Sequence, residues 1–325
     1  MSVRYVFFAV ACTAGAPEAY MIGSSPGKGL GVFATQALEP GDIIMRDRPV
    51  IRITPPPFHD GIGYSLNEVG VLLRREFELL AEDARADILS LTAHMTAAEK
   101  EAIDQLVPIF RSNAYNTDQA ISLFPKVARI NHSCRPNVGY AWSERLDKQV
   151  VTALRPIDQG EEIFVSYIPL LHSREDRQKR LDQYGFKCTC EVCAQDTAGL
   201  QASDQRRKDI SKAFSDFEPQ LTLSVPQSKA AKKKAHNNAK ASIQLAELVQ
   251  EEGLADYYVT AYRVVAILHA RIEDWKEATL WGHRSYKLSK MVDPQSDMTK
   301  ELVAMTNEFI SRWNDDVRNR SRKTS

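Results

Sequence analysis

The chain has 325 residues, 43% of them hydrophobic and 26% charged, with Lys+Arg and Asp+Glu at 42 each. That length suffices for two domains and a sizeable core, and the balanced charge excludes a global field drawing the molecule to nucleic acid or an anionic membrane. No apolar run is long enough to span a bilayer, so any such binding has to be local.

The chain starts with an apolar stretch, Arg4 followed by Tyr5-Val6-Phe7-Phe8-Ala9-Val10-Ala11-Cys12, with Ala14 and Ala16 beyond. It has the layout of a short secretory signal. We read it instead as a first β-strand closed by a Gly15/Pro17 turn, because the thiolate cluster further along fits poorly with export into an oxidising compartment. Gly27, Gly29 and Gly31 then alternate between Ser24 and Thr35. A dinucleotide loop needs a different glycine spacing and a helix behind it, so a glycine-rich hairpin is expected. Its glycines could let the backbone approach a ligand closely. Glu39 to Asp42 is a turn, and Ile43 to Ile53 alternates as strand up to Pro49.

Thr54-Pro55-Pro56-Pro57 breaks that pattern, and Leu66, Val69, Leu72, Leu73, Phe77 and Leu80 recur at helical spacing. Further helix is predicted over 84–91 and 96–110, the latter opened by Thr96 and Glu99 at capping-box spacing. This is a helical insert between β-rich halves. Strand-like segments return at 121–130 and 138–142, flanking Asn131-His132-Ser133-Cys134-Arg135-Pro136-Asn137. Val150 to Leu154 is apolar and β-branched, Ile157 to Glu162 is a turn, and Ile163 to Tyr167 is a strand ending in tyrosine. A charged helix, Arg174 to Leu181, leads to Tyr184-Gly185-Phe186-Lys187 and Cys188-Thr189-Cys190-Glu191-Val192-Cys193.

Beyond Ala194 the chain is polar to about Gln227, then amphipathic helices are predicted at 239–252, 255–271, 275–290 and 298–313. Ala261, Ala266 and Ala278 at their crossings suggest tetratricopeptide-like hairpins. Lys232-Lys233-Lys234 reads as a solvated helix face rather than a nuclear-import patch, and the basic tail Arg318 to Lys323 as disordered.

The chain contains five cysteines. A Cys-x-Cys-x-x-Cys trio cannot complete a tetrahedral metal site alone, so Cys188, Cys190 and Cys193 must borrow a ligand, and Cys134 is at hand. Four thiolates are what a closed structural zinc site requires. A disulfide reading fares worse, since cysteines one residue apart bridge poorly and the count is odd. The remaining alternative makes Cys134 a small buried hydrophobe.

In order, Pro26-Gly27-Lys28-Gly29-Leu30-Gly31-Val32-Phe33-Ala34, then Asn113-Ala114-Tyr115, then the Asn131–Asn137 motif, Gly160-Glu161-Glu162-Ile163 with Tyr167, and Tyr184-Gly185-Phe186 with the cysteine trio resemble a SET domain with its post-SET zinc segment. The likeness is greatest to fungal SET-domain proteins related to the SET- and MYND-domain lysine methyltransferases, and covers residues 24–194. It implies an α+β fold of small curved sheets in which a pseudoknot, an exception to the rule against threading, brings the Asn131 stretch against Glu161 to Tyr167. The implied divisions are N-terminal SET strands (1–54), a helical insert (55–110), the C-terminal SET core (111–170), the post-SET zinc segment (171–194) and a C-terminal helical domain (195–325).

The resemblance further implies a protein-lysine N-methyltransferase that uses S-adenosylmethionine and one structural Zn2+ held by Cys134, Cys188, Cys190 and Cys193. By motif position, Lys28, Gly29 and Leu30 would line the methyl donor with backbone groups, Asn113 and Asn131 would hold its methionine end, and His132 would meet the adenine through its main chain. Phe186 would pack on the adenine ring, Tyr184 would border the lysine channel, and Tyr167 would set its hydroxyl beside the transferring methyl. Expected partners are a protein lysine, histone or non-histone, with no direct nucleic-acid or membrane binding, in a cytoplasmic or nuclear monomer. No MYND finger is present in the sequence; a cysteine-free helical insert takes its place, so partners of that finger do not carry over. The competing readings are a catalytically silent SET scaffold presenting the C-terminal helices, and a methyltransferase for a small-molecule amine.

Overall fold

The computed structural model describes residues 18–324, apart from 62, 97–98, and 101–102. The apolar stretch read as strand or signal, and Cys12 with it, lies outside the described residues. β1 (Tyr20–Ser25) and β2 (Gly29–Ala34) form the glycine-rich hairpin, in register from Tyr20↔Ala34 to Ser25↔Gly29. Gly27 and Gly29 hold φ of 73° and 82° at its turn, a region L residues with a Cβ seldom enter. β3 (Ile43–Asp47) and β4 (Ile51–Ile53) split around Pro49, as its missing N–H demands.

The insert contains the small hairpin β5 (Phe58–His59) and β6 (Gly63–Tyr64), then α1 (Leu66–Glu78), α2 (Glu82–Leu89) and α3 (Leu106–Asn113). Ser65 caps α1, its side chain accepting from the Glu68 N–H. The predicted capping box is formed reciprocally: the Thr96 N–H donates to Glu99 Oε2 at 2.9 Å and the Glu99 N–H to Thr96 Oγ1 at 3.2 Å. Leu73, Phe77, Ile88, Leu106 and Phe110 pack against Ile51, Ile53 and Leu123 in a core of their own.

β7 (Ala114–Thr117) and β8 (Ala120–Leu123) complete a sheet of order β4-β8-β7. The strand expected over 121–130 stops at Leu123. Pro125 follows, and Val127–Arg129 close a 3-10 turn. Phe124, Val127 and Ile130 are all fully buried, so the apolar run that reads as strand is a buried turn. β9 (Asn131–His132), β10 (Val138–Ser143), β11 (Lys148–Ala153) and β12 (Glu162–Val165) follow, giving sheets β1-β2-β12-β9 and β10-β11-β3.

β12 positions the site. It pairs antiparallel with β2 (Ile163↔Val32) and parallel with β9 (Phe164↔Asn131, Val165↔His132). Asn137, fully buried, clamps it: Oδ1 accepts from the Phe164 N–H at 2.7 Å and Nδ2 donates to the Glu162 carbonyl at 2.9 Å.

α4 (Arg174–Leu181) matches its prediction. α5 (Thr197–Phe217) occupies what reads as a polar stretch, because its inner face is Ser203, Arg207, Ile210 and Phe217 rather than a leucine stripe. α6 (Lys229–Glu251), α7 (Tyr258–Ala270), α8 (Trp275–Val292) and α9 (Asp297–Thr324) complete the C-terminal region. Lys232, Lys233 and Lys234 are exposed on α6. The tail expected to be disordered is helical through Thr324, supported by Arg318–Asp315 and Arg320–Asp316 pairs at 3.6 and 2.7 Å. The C-terminal helices share one core with the cysteine segment: Cys134, Leu170, Leu181, Val192 and Cys193 pack with Ile210, Leu245, Val265 and Phe309. Among the described residues no helix is long and apolar enough to cross a membrane.

Replacing Asn137 by Ala strands the Phe164 N–H in the interior and should cost about 3 kcal/mol of stability. Urea unfolding followed by circular dichroism checks this against Asn116→Ala, at an exposed site, which should cost under about 0.5 kcal/mol.

Candidate functional site

Cys134 leaves β9 and meets the trio beyond α4. Gln178 on α4 fixes that meeting: its Nε2 donates to the Phe186 carbonyl at 2.8 Å and its Oε1 accepts from the Cys188 N–H at 3.0 Å. Gly185 turns the chain with φ of 76°, and a Cβ there would collide with the His94 ring. Among the described residues, the Sγ atoms of Cys134, Cys188, Cys190 and Cys193 all lie within 4.8 Å of one another, with Cys134 and Cys193 at 3.7 Å. A tetrahedron with metal–sulfur bonds of about 2.3 Å has edges of about 3.8 Å. The four sulfurs therefore fit one zinc. Crowding splits their protonation, raising Cys134, first through hydrogen bonding with Cys188, and lowering Cys190, first through hydrogen bonding from Cys134.

Glu162, at the head of β12, organises a second group. Its Oε2 accepts from Lys28 Nζ at 2.9 Å and Ser25 Oγ at 3.0 Å, and its Oε1 from Asn131 Nδ2 at 2.8 Å. Asn131 Nδ2 also donates to the Leu30 carbonyl at 3.0 Å. That leaves Asn131 Oδ1 without a donor among the described residues. Lys28 lies over the Phe164 ring, Nζ 4.4 Å from its centroid. Only glycine fits at position 31, where a Cβ would stand 2.5 Å from Glu162 Oε1 and 3.0 Å from Asn131 Nδ2. The glycine-rich hairpin is thus pressed against the Asn131 motif through one carboxylate.

The third group surrounds Tyr167. Its hydroxyl donates to the Ile130 carbonyl at 2.7 Å and its N–H to His132 Nδ1 at 3.0 Å. Burial pushes the phenol well above its ordinary range, with Tyr184 adding to the effect. Burial also pushes the His132 imidazole down to about 4. The ring is therefore neutral near pH 7. With Nδ1 accepting, the proton sits on Nε2, which faces Cys134 Sγ at 3.5 Å. Tyr184 and Phe186 close the group, with ring centroids 5.0 and 6.4 Å from that of Tyr167.

Tyr167 and Tyr184 also line a cavity of about 290 Å³ with Asn113, Tyr115 and Tyr140. Asn113 Nδ2 is spent on the Thr92 and Ile109 carbonyls at 3.0 and 2.8 Å.

The sequence-predicted residues thus fall into linked clusters. Lys28, Leu30 and Asn131 meet at Glu162, Gly29 forms the hairpin turn beside them, Tyr167 joins His132, Tyr184 and Phe186, and Asn113 reaches Tyr167 across the cavity. The four cysteines converge. Glu162, Ser25, Asn137, Tyr115 and Tyr140 escape sequence reasoning as site residues, although Glu162, Asn137 and Tyr115 stand inside quoted motifs. The His132 ring is another omission: the family role concerns its main chain, whereas its side chain joins Tyr167 to a thiol.

The family model for the SET domain matches residues 29–168. The histone-lysine N-methyltransferase set5 of Schizosaccharomyces pombe is 31% identical over 198 residues, 59% of this chain and 56% of that protein. The N-lysine methyltransferase SMYD2 of Gallus gallus is 37% identical over 142 residues, 42% of this chain and 31% of that protein. Its Homo sapiens counterpart is 28% identical over 176 residues, 51% of this chain and 40% of that protein. The chain thus spans between 31% and 56% of the length of these curated relatives.

Titration with Co2+ should give the sulfur-to-metal absorption of a tetrahedral thiolate site at one ion per chain. Cys190→Ser should weaken that uptake at least tenfold. A spectrum lacking sulfur character would exclude the four-thiolate centre.

Proposed function

We propose that the chain, whose residues 29–168 match the SET-domain family model, is an S-adenosylmethionine-dependent protein-lysine N-methyltransferase with one structural zinc. The observation that carries the proposal is the convergence at Tyr167, whose hydroxyl faces a backbone carbonyl and whose ring lines a cavity walled by three further tyrosines. SET-domain methyltransferases use S-adenosylmethionine, which supplies a methyl on a sulfonium; in the transfer the sulfur–carbon bond breaks as a nitrogen–carbon bond forms.

Such a displacement needs alignment rather than an activated protein nucleophile, and alignment can supply several kcal/mol of the barrier. The Glu162 network holds Lys28, Leu30 and Asn131 in fixed relation, and the unspent Asn131 Oδ1 offers an acceptor for the ammonium of the donor's methionine end. Tyr167, Tyr184, Tyr115 and Tyr140 present ring faces and edges to an entering lysine. Their low-dielectric surroundings favour the neutral amine, which the reaction requires. Tyr167 itself stays protonated: a phenol whose value is raised keeps its proton through and beyond the usual range of about 10. Its oxygen positions and does not act as a base.

Cys134, Cys188, Cys190 and Cys193 would hold the zinc, which fixes the segment that presents Tyr184 and Phe186 to Tyr167 and takes no part in the transfer. A protein lysine, in a histone or another protein, is the proposed acceptor.

Incubation with methyl-labelled donor and a host lysate, read by mass spectrometry, should place the label on protein lysine. Label on small amines alone would favour the small-molecule reading. With an identified substrate, Tyr167→Phe should cut turnover about a hundredfold or change the number of methyls added. An unaltered rate and product would remove Tyr167 from the mechanism. The rate should rise with pH as the substrate amine deprotonates, with no falling limb from Tyr167 below about pH 10; a stopped-flow pH profile reads both.

A further inference from the structure

The thiol cluster has a neighbour that neither the proposed transfer nor the four-ligand site uses. Arg177 on α4 is fully buried. Nη1 donates to the His172 carbonyl at 2.6 Å and lies 3.4 Å from Asp204 Oδ1, on a carboxylate that is 29% exposed. Nη2 is 4.0 Å from Cys193 Sγ. Nε is buried with no hydrogen-bond partner among the described residues. The other buried arginine here, Arg207, is fully occupied by Glu252 Oε1 at 2.9 Å and the carbonyls of Leu170 and Cys134 at 2.8 and 2.9 Å. Arg177 therefore carries the guanidinium left facing sulfur.

A buried cation with unmet donors is costly unless it is paired. So is the other side of the contact: four thiolates around Zn2+ carry a net charge of −2 in a site with three buried sulfurs. Each deficit meets the other. We propose that Arg177 is a positioning residue of the metal centre, its buried guanidinium balancing the negative charge of a four-cysteine zinc site and tying α4 to it. This rests on the zinc reading above. Through its 4.0 Å approach to Cys193 Sγ, Arg177 offsets the centre's negative charge, and so sets how tightly the centre keeps its ion, without itself being a ligand.

The test uses the full-length chain, with zinc content measured by atomic emission and affinity by competition with a chromogenic chelator. Arg177→Met should bind zinc 10- to 100-fold more weakly, the range for residues that support metal ligands, and release it faster to chelator. Arg177→Lys, which keeps the charge, should recover most of the loss. Arg177→Met with Asp204→Asn guards against misfolding, since it removes the charge that Arg177 faces while an Asn Oδ1 can still accept from the Arg174 N–H, as Asp204 does at 2.8 Å. If Arg177 served only as the partner of Asp204, the double variant would regain parental affinity; under the proposal it stays weak. Parental affinity and release rate in either Met-bearing variant would overturn the role of Arg177. A parent chain that takes up no zinc at all would instead overturn the four-thiolate reading on which it rests.

Discussion

The parallel pairing of β9 with β12 is the constraint on which the rest of the structure depends. It is a long-range contact between two short strands, β9 being only Asn131–His132. Without it Asn131 would not reach Glu162, His132 would not meet the Tyr167 N–H, and Cys134 would not be aimed toward the trio. Short strands are marginal by themselves. Here the pairing is reinforced by the buried Asn137 clamp, by the Ser133 N–H to Val165 carbonyl bond at 3.0 Å, and by the burial of Ile163 and Val165 in the sheet core.

His132 turns that pairing into a link between two side-chain clusters. Its neutral ring accepts from the backbone of the tyrosine at the cavity and faces the sulfur that completes the thiol set. The four-thiol cluster and the tyrosine that lines the cavity are thus joined through one imidazole. The second link is Gln178, which holds Phe186 and Cys188 to α4. The third is the shared core, in which the C-terminal helices bury the outer side of the cysteine segment. Glu252, fully buried at the end of α6, receives Arg206 and Arg207, and Arg207 in turn reaches the Cys134 carbonyl. The helices therefore brace the thiol cluster as well as covering it.

The convergence of the four cysteines was legible in the sequence because thiols are few: a trio needs a fourth to complete a tetrahedron, and Cys134 was the candidate inside a motif. The hairpin was legible from its glycines and α4 from its charges. The strand expected over 121–130 was misread because a run buried on every side carries no periodicity; Pro125 was the signal for the turn. α5 was hidden for the opposite reason, a buried face of serine and arginine whose partners, Glu252 and the Cys134 carbonyl, lie far away in sequence. Glu162 had a motif position but no visible role, since a carboxylate's partners across a sheet follow only from the β2–β12 pairing. The family resemblance named the Tyr167 and Asn131 positions, and their hydrogen bonds came from the fold.

The central claim is that the thiol centre and the methyl-donor site form one unit, joined across β9. The most direct measurement is calorimetric titration of S-adenosylmethionine into the zinc-loaded chain, repeated after chelation of the metal under conditions where circular dichroism shows the β-sheets retained. The account predicts saturable binding at one molecule per chain, lost or weakened at least tenfold once zinc is removed. Absence of binding by the zinc-loaded protein, or equal affinity with and without the metal, would contradict it.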